Sequence, residues 1–222
     1  MELTEPKIIL IGITPNAEKL IEEAGRTCYL SLERINNNSE KDFIPRCIKS
    51  GHHSIMEHAS ASFKINGASR AFTHQLVRHR LASFSQQSQR YVNETDFNYI
   101  IPPEIFNDKE ACRKFKDFIE LSRKTYQELR DKGIKKEDAR YVLPNALESQ
   151  IVFSANFREL RHIFLIRLKK NAQWEIRRVC FKMLEIMQRE ASSVFGDFIL
   201  DKTDWTAKSG FESEEVLSPQ IH

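Results

Sequence analysis

Residues 59–67 read Ala59-Ser60-Ala61-Ser62-Phe63-Lys64-Ile65-Asn66-Gly67. Apolar and polar side chains alternate through Ile65, the period of a strand with one face in the core, and Asn66-Gly67 is a turn signal. Upstream, residues 8–13 (IILIGI) form a short apolar run that reads as a buried strand. Thr14-Pro15 then offers a cap and a first-turn proline to a helix with Ala17, Leu20, Ile21 and Ala24 on one face. A second helix near 40–50 buries Phe43, Ile44, Cys47 and Ile48 and stops at Gly51, which suits the left-handed position past a helix end.

Downstream of the turn signal the pattern is helical over 69–79, and 81–91 is a Ser/Gln-rich loop without periodicity. Residues 109–131 form a long amphipathic helix through Cys112, Phe115, Ile119, Ser122, Tyr126 and Leu129, ended by Gly133. Ile151-Val152-Phe153 reads as a strand, and Asn156 with Glu159 makes a capping-box-like start for a helix carrying Leu160, Ile163 and Phe164. A last helix over 172–195 turns Ile176, Val179, Cys180, Met183 and Met187 inward, and from about residue 200 the chain reads as a loosely ordered tail. Strands fall between helices without regular βαβ spacing. The expectation is an α+β fold with a central antiparallel sheet flanked by helices, in a single domain over 1–222.

The 222 residues, 41% hydrophobic and 29% charged, suit one globular domain rather than a disordered or collagen-like chain. A chain of this length buries about 70% of its unfolded surface, so it needs no disulfides or metals as staples. Lys+Arg 34 against Asp+Glu 31 leaves a net charge of +3, too little for a general polyanion-binding surface, so any basic site is local. The run at 8–13 is shorter than a membrane span or signal core and is preceded by acids, which predicts a cytoplasmic protein without a membrane partner. Cys28, Cys47, Cys112 and Cys180 form no CxxC pair, and Cys180, at helical spacing among Val179, Met183 and Met187, reads as core.

The charge anomaly lies between Glu57 and Glu94, where there is no acid at all but there are Lys64, Arg70, Arg78, Arg80 and Arg90, with His58, His74 and His79. On a helix, Arg70, His74 and Arg78 stack on one face, an unfavourable like-charge arrangement unless an anion lies against it. Arginine forks match phosphate and carboxylate oxygens, and Ser83, Ser85, Gln86, Gln87, Ser88 and Gln89 can hydrogen-bond an uncharged heterocycle, which together suit a nucleotide. The alternatives are an arginine face that is solvated or paired with acids from elsewhere, and a module that contacts nucleic-acid phosphates. Phe72 and Phe84 are thin material for base stacking. GxGxxG and GxxxxGK[ST] are absent, which excludes a Rossmann turn or P-loop. The run 52–58 (HHSIMEH) matches neither HExxH nor HxxEH, so no metal is expected, and no GxSxG elbow activates Ser83, Ser85 or Ser88.

Residues 78–90, Arg78-His79-Arg80-Leu81-Ala82-Ser83-Phe84-Ser85-Gln86-Gln87-Ser88-Gln89-Arg90, fit RHRxxSxxxxSxR at every fixed position. This long motif resembles the signature of the flavin-dependent thymidylate synthases. The resemblance extends upstream through Gly51-His52, Ser54, Glu57-His58, Ser69-Arg70 and Thr73-His74-Gln75, and downstream through Leu143-Pro144-Asn145, Arg167 and residues 172–177. It implies reductive methylation of dUMP to dTMP, with 5,10-methylenetetrahydrofolate giving the carbon, NADPH the electrons, and FAD carrying the hydride. Other thymidylate synthases attack uracil with a cysteine; here none lies near the arginine/serine cluster.

The resemblance further implies that Ser54, Arg78, His79, Arg80 and Gln86 hold the flavin, with the backbone at Ile166, Arg167 and Leu168 and with Asn171. The nucleotide would lie against Arg70, Gln75, Arg78, Gln86, Gln87, Ser88, Gln89, Arg90, Gln150 and Arg177. Arg177 is the expected activating residue, stabilising the uracil anion by preorganised charge, and His52 is expected near folate and flavin. Family members are homotetramers with shared active sites. Gln150 stands where the family commonly has an arginine, so either nucleotide affinity is weakened or Arg158 or Arg161 compensates.

Overall fold

The computed structural model describes residues 5–211. The chain runs β1 (Lys7–Ile13), α1 (Ala17–Thr27), α2 (Glu40–Lys49), β2 (Ser60–Ser69), α3 (Arg70–Leu76), β3 (Ser83–Gln86), α4 (Pro103–Asn107), α5 (Lys109–Asp131), α6 (Lys136–Ala139), β4 (Glu148–Asn156), α7 (Phe157–Arg167), α8 (Trp174–Glu190), α9 (Ser192–Phe195), β5 (Phe198–Asp201) and β6 (Thr206–Ser209), with 3-10 turns at Leu32–Arg34, His53–His58 and Arg140–Val142. Four strands form a sheet in the order β1-β2-β4-β3, and β5 and β6 pair as an antiparallel hairpin. Ser62 bonds Ser154 while Gly67 bonds Glu148, so β2 and β4 run antiparallel. The expected central antiparallel sheet flanked by helices is present.

Two compact units are distinguished. The first comprises described residues 5–7, 65–78 and 84–152, and the second residues 8–64, 79–83 and 153–211. In the first, Phe97, Ile119 and Leu147 form a core with Tyr99, Phe115, Leu143 and Ala146 against them. The expected α5 is present with the bounds 109–131, because Asp108 accepts from the Glu110 and Ala111 amides and Gly133 (φ +82) ends it. In the second unit, Phe164 meets Phe195 and Phe198 edge-on at 5.9 and 6.2 Å, and Phe157 meets Phe195 at 5.3 Å. Each fully buried ring stabilises the fold by about 1.5–3 kcal/mol. Cys180 is fully buried in α8, as its helical spacing suggested. The buried Arg161 guanidinium is neutralised by Asp197 at 2.6 and 3.0 Å, fastening α7 to the chain just before the hairpin.

Several local expectations fail for identifiable reasons. Thr14 is not the cap of α1: its hydroxyl accepts the Ser60 amide at 2.9 Å, and Asn16, at φ +49, precedes the helix instead. Leu20 is exposed. Asn66-Gly67 makes no turn; β2 continues to Ser69, and Gly67 absorbs the irregularity at φ +72 while donating its amide to the Glu148 carboxylate at 3.1 Å. The expected helix over 69–79 stops at Leu76, so Arg78 leaves the face shared by Arg70 and His74. Part of the 81–91 loop is strand β3. The 172–195 helix is two helices, parted at Ala191. The C-terminal stretch expected to be loosely ordered includes the β5–β6 hairpin; residues 212–222 lie outside the described residues. No helix among the described residues is long and apolar enough to cross a membrane.

Candidate active site

In the first unit, β2 delivers the chain to α3 with Ser69 as its cap, the hydroxyl accepting the Phe72 amide at 3.1 Å. That places Arg70 half-buried on the first turn, where its Nη1 donates to the Gln87 carbonyl at 3.3 Å. Burial, with the like charge of Arg140 adding to it, pushes the Arg70 pKa down, while Glu94 pulls it back up. Gln86 turns its amide inward, donating to Thr73 Oγ1 at 2.8 Å and Ser149 Oγ at 3.3 Å. Gln87 donates its backbone N–H to the Gln150 carbonyl at 2.9 Å and its side chain to Glu94 at 2.9 Å.

Ser88 and Arg90 complete that segment. The Ser88 hydroxyl accepts the Arg90 amide at 3.3 Å, and the Ser88 carbonyl accepts the Tyr91 and Val92 amides, which makes a tight turn. Arg90 is exposed, with Nε on Glu137 at 3.1 Å. Gln75 and Gln89 are half-buried; Arg78 and Gln150 are exposed, and Arg78 makes no ion pair among the described residues. The structure therefore brings Arg70, Gln87 and the Gln150 backbone into one hydrogen-bonded set, with Gln86 bonded to Thr73 and Ser149, so the side-chain amides of Gln86 and Gln87 are spent on holding the segment itself.

In the second unit, His79 and Arg80 follow the chain out of α3. Arg80 is exposed and, like Arg78, makes no ion pair among the described residues. His79 is buried: its Nε2 accepts from Arg167 Nε at 3.0 Å and its Nδ1 lies 3.5 Å from Glu159 Oε1. Asn156 caps α7 as expected, accepting the Glu159 amide at 2.8 Å, and α7 carries Ile166 and Arg167 to its last turn. The turn after α7 holds buried Leu168, whose carbonyl accepts the Ala207 amide, and exposed Asn171. Arg177, one turn into α8, donates Nη1 to the Lys170 carbonyl at 2.6 Å, and its buried Nε has no partner among the described residues.

His52 and Ser54 stand on the exposed turn after α2. Gly51 takes φ +77, and the bonds Gly51 N to Ile48 O and His52 N to Cys47 O close a Schellman motif that presents His52 edge-on to Tyr29 at 6.5 Å. A cavity of about 400 Å³ in this unit is lined by His53, Met56, Glu57, Leu81, Arg158 and His162 among others, within the range of small-ligand sites. Arg158 pairs with Glu57 there, and apolar Met56, Leu81 and Leu165 form part of its wall.

His53, Glu57 and His162 line this cavity without being expected ligand residues; the run 52–58 carries the signal, but only His52 and Ser54 of it are expected near a ligand. Among the described residues no group of three or more His, Cys, Asp and Glu side chains is arranged to hold a metal. Arg161 is no source of spare charge to replace that missing at Gln150, since Asp197 neutralises it in the core.

The model of a family described as thymidylate synthase complementing protein matches residues 9–192. The flavin-dependent thymidylate synthase of Pyrococcus abyssi is 49% identical over 165 residues, covering 72% of this chain and 68% of the relative. That of Pyrococcus furiosus is 44% identical, covering 77% and 71%, and that of Geobacter sulfurreducens is 40% identical over 199 residues, covering 86% of each. With a match of this extent, the chain belongs to the thymidylate synthase complementing protein family.

Proposed function

We propose that the chain is a flavin-dependent thymidylate synthase, a methyltransferase that converts dUMP to dTMP with 5,10-methylenetetrahydrofolate as carbon donor and NADPH as electron source. The observation that carries this reading is the RHRxxSxxxxSxR segment, 78–90, which ends in a turn braced by Arg70, Glu94 and Glu137 and begins with two exposed arginines that make no ion pair among the described residues. Exposed arginine forks suit phosphates, and the cavity with its histidines and apolar wall suits a ring system.

The donor set fits FAD, which when bound supplies the hydride for the methyl group. Arg78, Arg80 and Ser54 are proposed to hold it, with the turn that carries Leu168 and Asn171 and with Ile166 and Arg167. His79, buried on Arg167, acts in this reading chiefly by orienting that guanidinium. The nucleotide is assigned to Arg70, Gln75, Arg78 and the segment 86–90, with His52 near folate and flavin.

Arg177 is proposed to stabilise the uracil anion through its guanidinium charge. Its bond to the Lys170 carbonyl favours a second reading, in which Arg177 holds the 168–173 turn and Arg167 supplies the charge. No cysteine nucleophile is assigned in this reading, and Cys180 is unsuited to be one: it is in the core, and burial pushes its thiol up to about 12.

A homotetramer in the cytoplasm is the proposed working form. Tyr29, Leu30, Leu32 and Ile35 are exposed along one segment, Leu30 to 86%, and self-association would cover them. The test is turnover: purified protein given FAD, NADPH, methylenetetrahydrofolate and dUMP yields dTMP, and failure with all of them present contradicts the reading.

A further inference from the structure

Gln87 is fixed at three points within its own unit. Its N–H donates to the Gln150 carbonyl, its carbonyl accepts from Arg70 Nη1, and its side-chain amide donates to Glu94 Oε1 at 2.9 Å. Glu94 is the acid that closes the acid-free stretch of the sequence, and it is only 4% exposed. A buried carboxylate carries a heavy desolvation cost unless hydrogen bonds and opposite charge offset it. Here burial pushes its pKa up, while the Gln87 amide and the Arg70 charge pull it down. Among the described residues Glu94 makes no ion pair, so the hydrogen bond from Gln87 is its principal anchor. An apolar residue would have filled the same space without that cost.

We propose that Glu94 is a positioning residue for nucleotide binding: through Gln87, and beside Arg70, it holds the segment 86–90 in the form that receives an anionic pyrimidine nucleotide. Gln87 is then a strut rather than a ligand, because its backbone N–H and C=O and its side-chain NH2 group are bonded within the unit. The free energy spent on burying the carboxylate is returned as preorganisation, since a segment fixed beforehand loses less freedom on binding. This inference rests on the nucleotide reading above.

The experiment is dUMP binding to the FAD-loaded protein by calorimetry for wild type, Glu94→Ala, Glu94→Gln, Gln87→Ala and the Glu94→Ala/Gln87→Ala pair, with retained flavin measured alongside. Loss of a buried partner predicts a Kd about 10-fold higher for Glu94→Ala and for Gln87→Ala. The double variant is expected to be no weaker than the weaker single one, because both remove one interaction. Glu94→Gln keeps an acceptor for the Gln87 amide and is expected to bind within about 3-fold of wild type, and flavin content stays constant throughout.

Unchanged dUMP affinity in a folded Glu94→Ala, or losses that simply add in the double variant, overturns the inference alone. Should Glu94→Ala not fold, unchanged affinity in Gln87→Ala overturns it. Wild-type protein that takes up flavin and does not bind dUMP overturns the nucleotide reading and this inference with it.

Discussion

Arg167 donates its Nε hydrogen to Nε2 of His79 at 3.0 Å. An arginine Nε–H is always a donor, so the neutral imidazole accepts at Nε2 and carries its own proton on Nδ1, toward Glu159 at 3.5 Å. Buried Glu159 at the start of α7, buried His79 and half-buried Arg167 at the end of α7 thus form a chain of acid, imidazole and guanidinium. The sequence motif places His79 between two arginines; the fold separates their tasks, with the arginines exposed and the histidine inside.

Removing the acceptor takes from the Arg167 Nε–H its bond to His79, a cost of about 1–3 kcal/mol. His79→Ala is therefore expected to lower FAD affinity about 10-fold or more while the far-UV circular dichroism stays native. Flavin retained on gel filtration measures it. Undiminished retention assigns His79 to packing alone.

Arg177→Ala separates the two roles open to that residue. If the Arg177 charge stabilises the uracil anion, kcat falls by about 100-fold or more, as when one preorganised donor is lost, and flavin content is unchanged. Flavin lost together with turnover means that Arg177 acts by holding the Lys170 carbonyl and thus the 168–173 turn.

Glu94 gives a pH signature. Burial raises its native pKa above the ordinary 4.5, against the lowering by the Gln87 hydrogen bond and the Arg70 charge, so the folded state keeps this proton at pH values where the unfolded chain has lost it. Its contribution to stability is fully present below pH 4.5 and is lost as pH rises through the native value. Urea unfolding of wild type against Glu94→Gln should show the wild type losing relative stability from pH 4.5 upward. A relative gain over that window means that the carboxylate form is the one the fold favours.

Thiol chemistry supplies a negative control. Cys28 is exposed, whereas Cys180 is buried with its thiol raised to about 12. A thiol reagent is expected to modify Cys28 in native protein and Cys180 only after unfolding. Cys28→Ser, Cys47→Ser and Cys112→Ser combined should retain turnover; abolished activity in that folded variant would return a cysteine to the chemistry.

Much of this arrangement was legible in the sequence where local chemistry and periodicity agreed. The Asn156 cap, the Gly51 terminus, the α5 stripe and the core thiol of Cys180 each follow from a few neighbouring residues. The failures come from partners distant in sequence. Thr14 is taken by Ser60, and Gly67 by Glu148, which turns a local turn signal into the interior of a strand. Strand β3 is only four residues of polar composition, Ser83–Gln86, and has no apolar period to reveal it. The arginine stretch was recognisable by its lack of acids, but not the burial of His79 beneath Arg167, nor the use of Gln87 as a strut, since both depend on residues of other elements.

The visible absorption spectrum, taken after added FAD has been removed by gel filtration and then again with dUMP, tests the central claim most directly. The account predicts a retained flavin band that dUMP perturbs, because the proposed hydride transfer requires the flavin and the nucleotide to meet. A colourless protein contradicts it, and steeply salt-dependent binding to long DNA or RNA would then assign the exposed arginines to nucleic-acid phosphates.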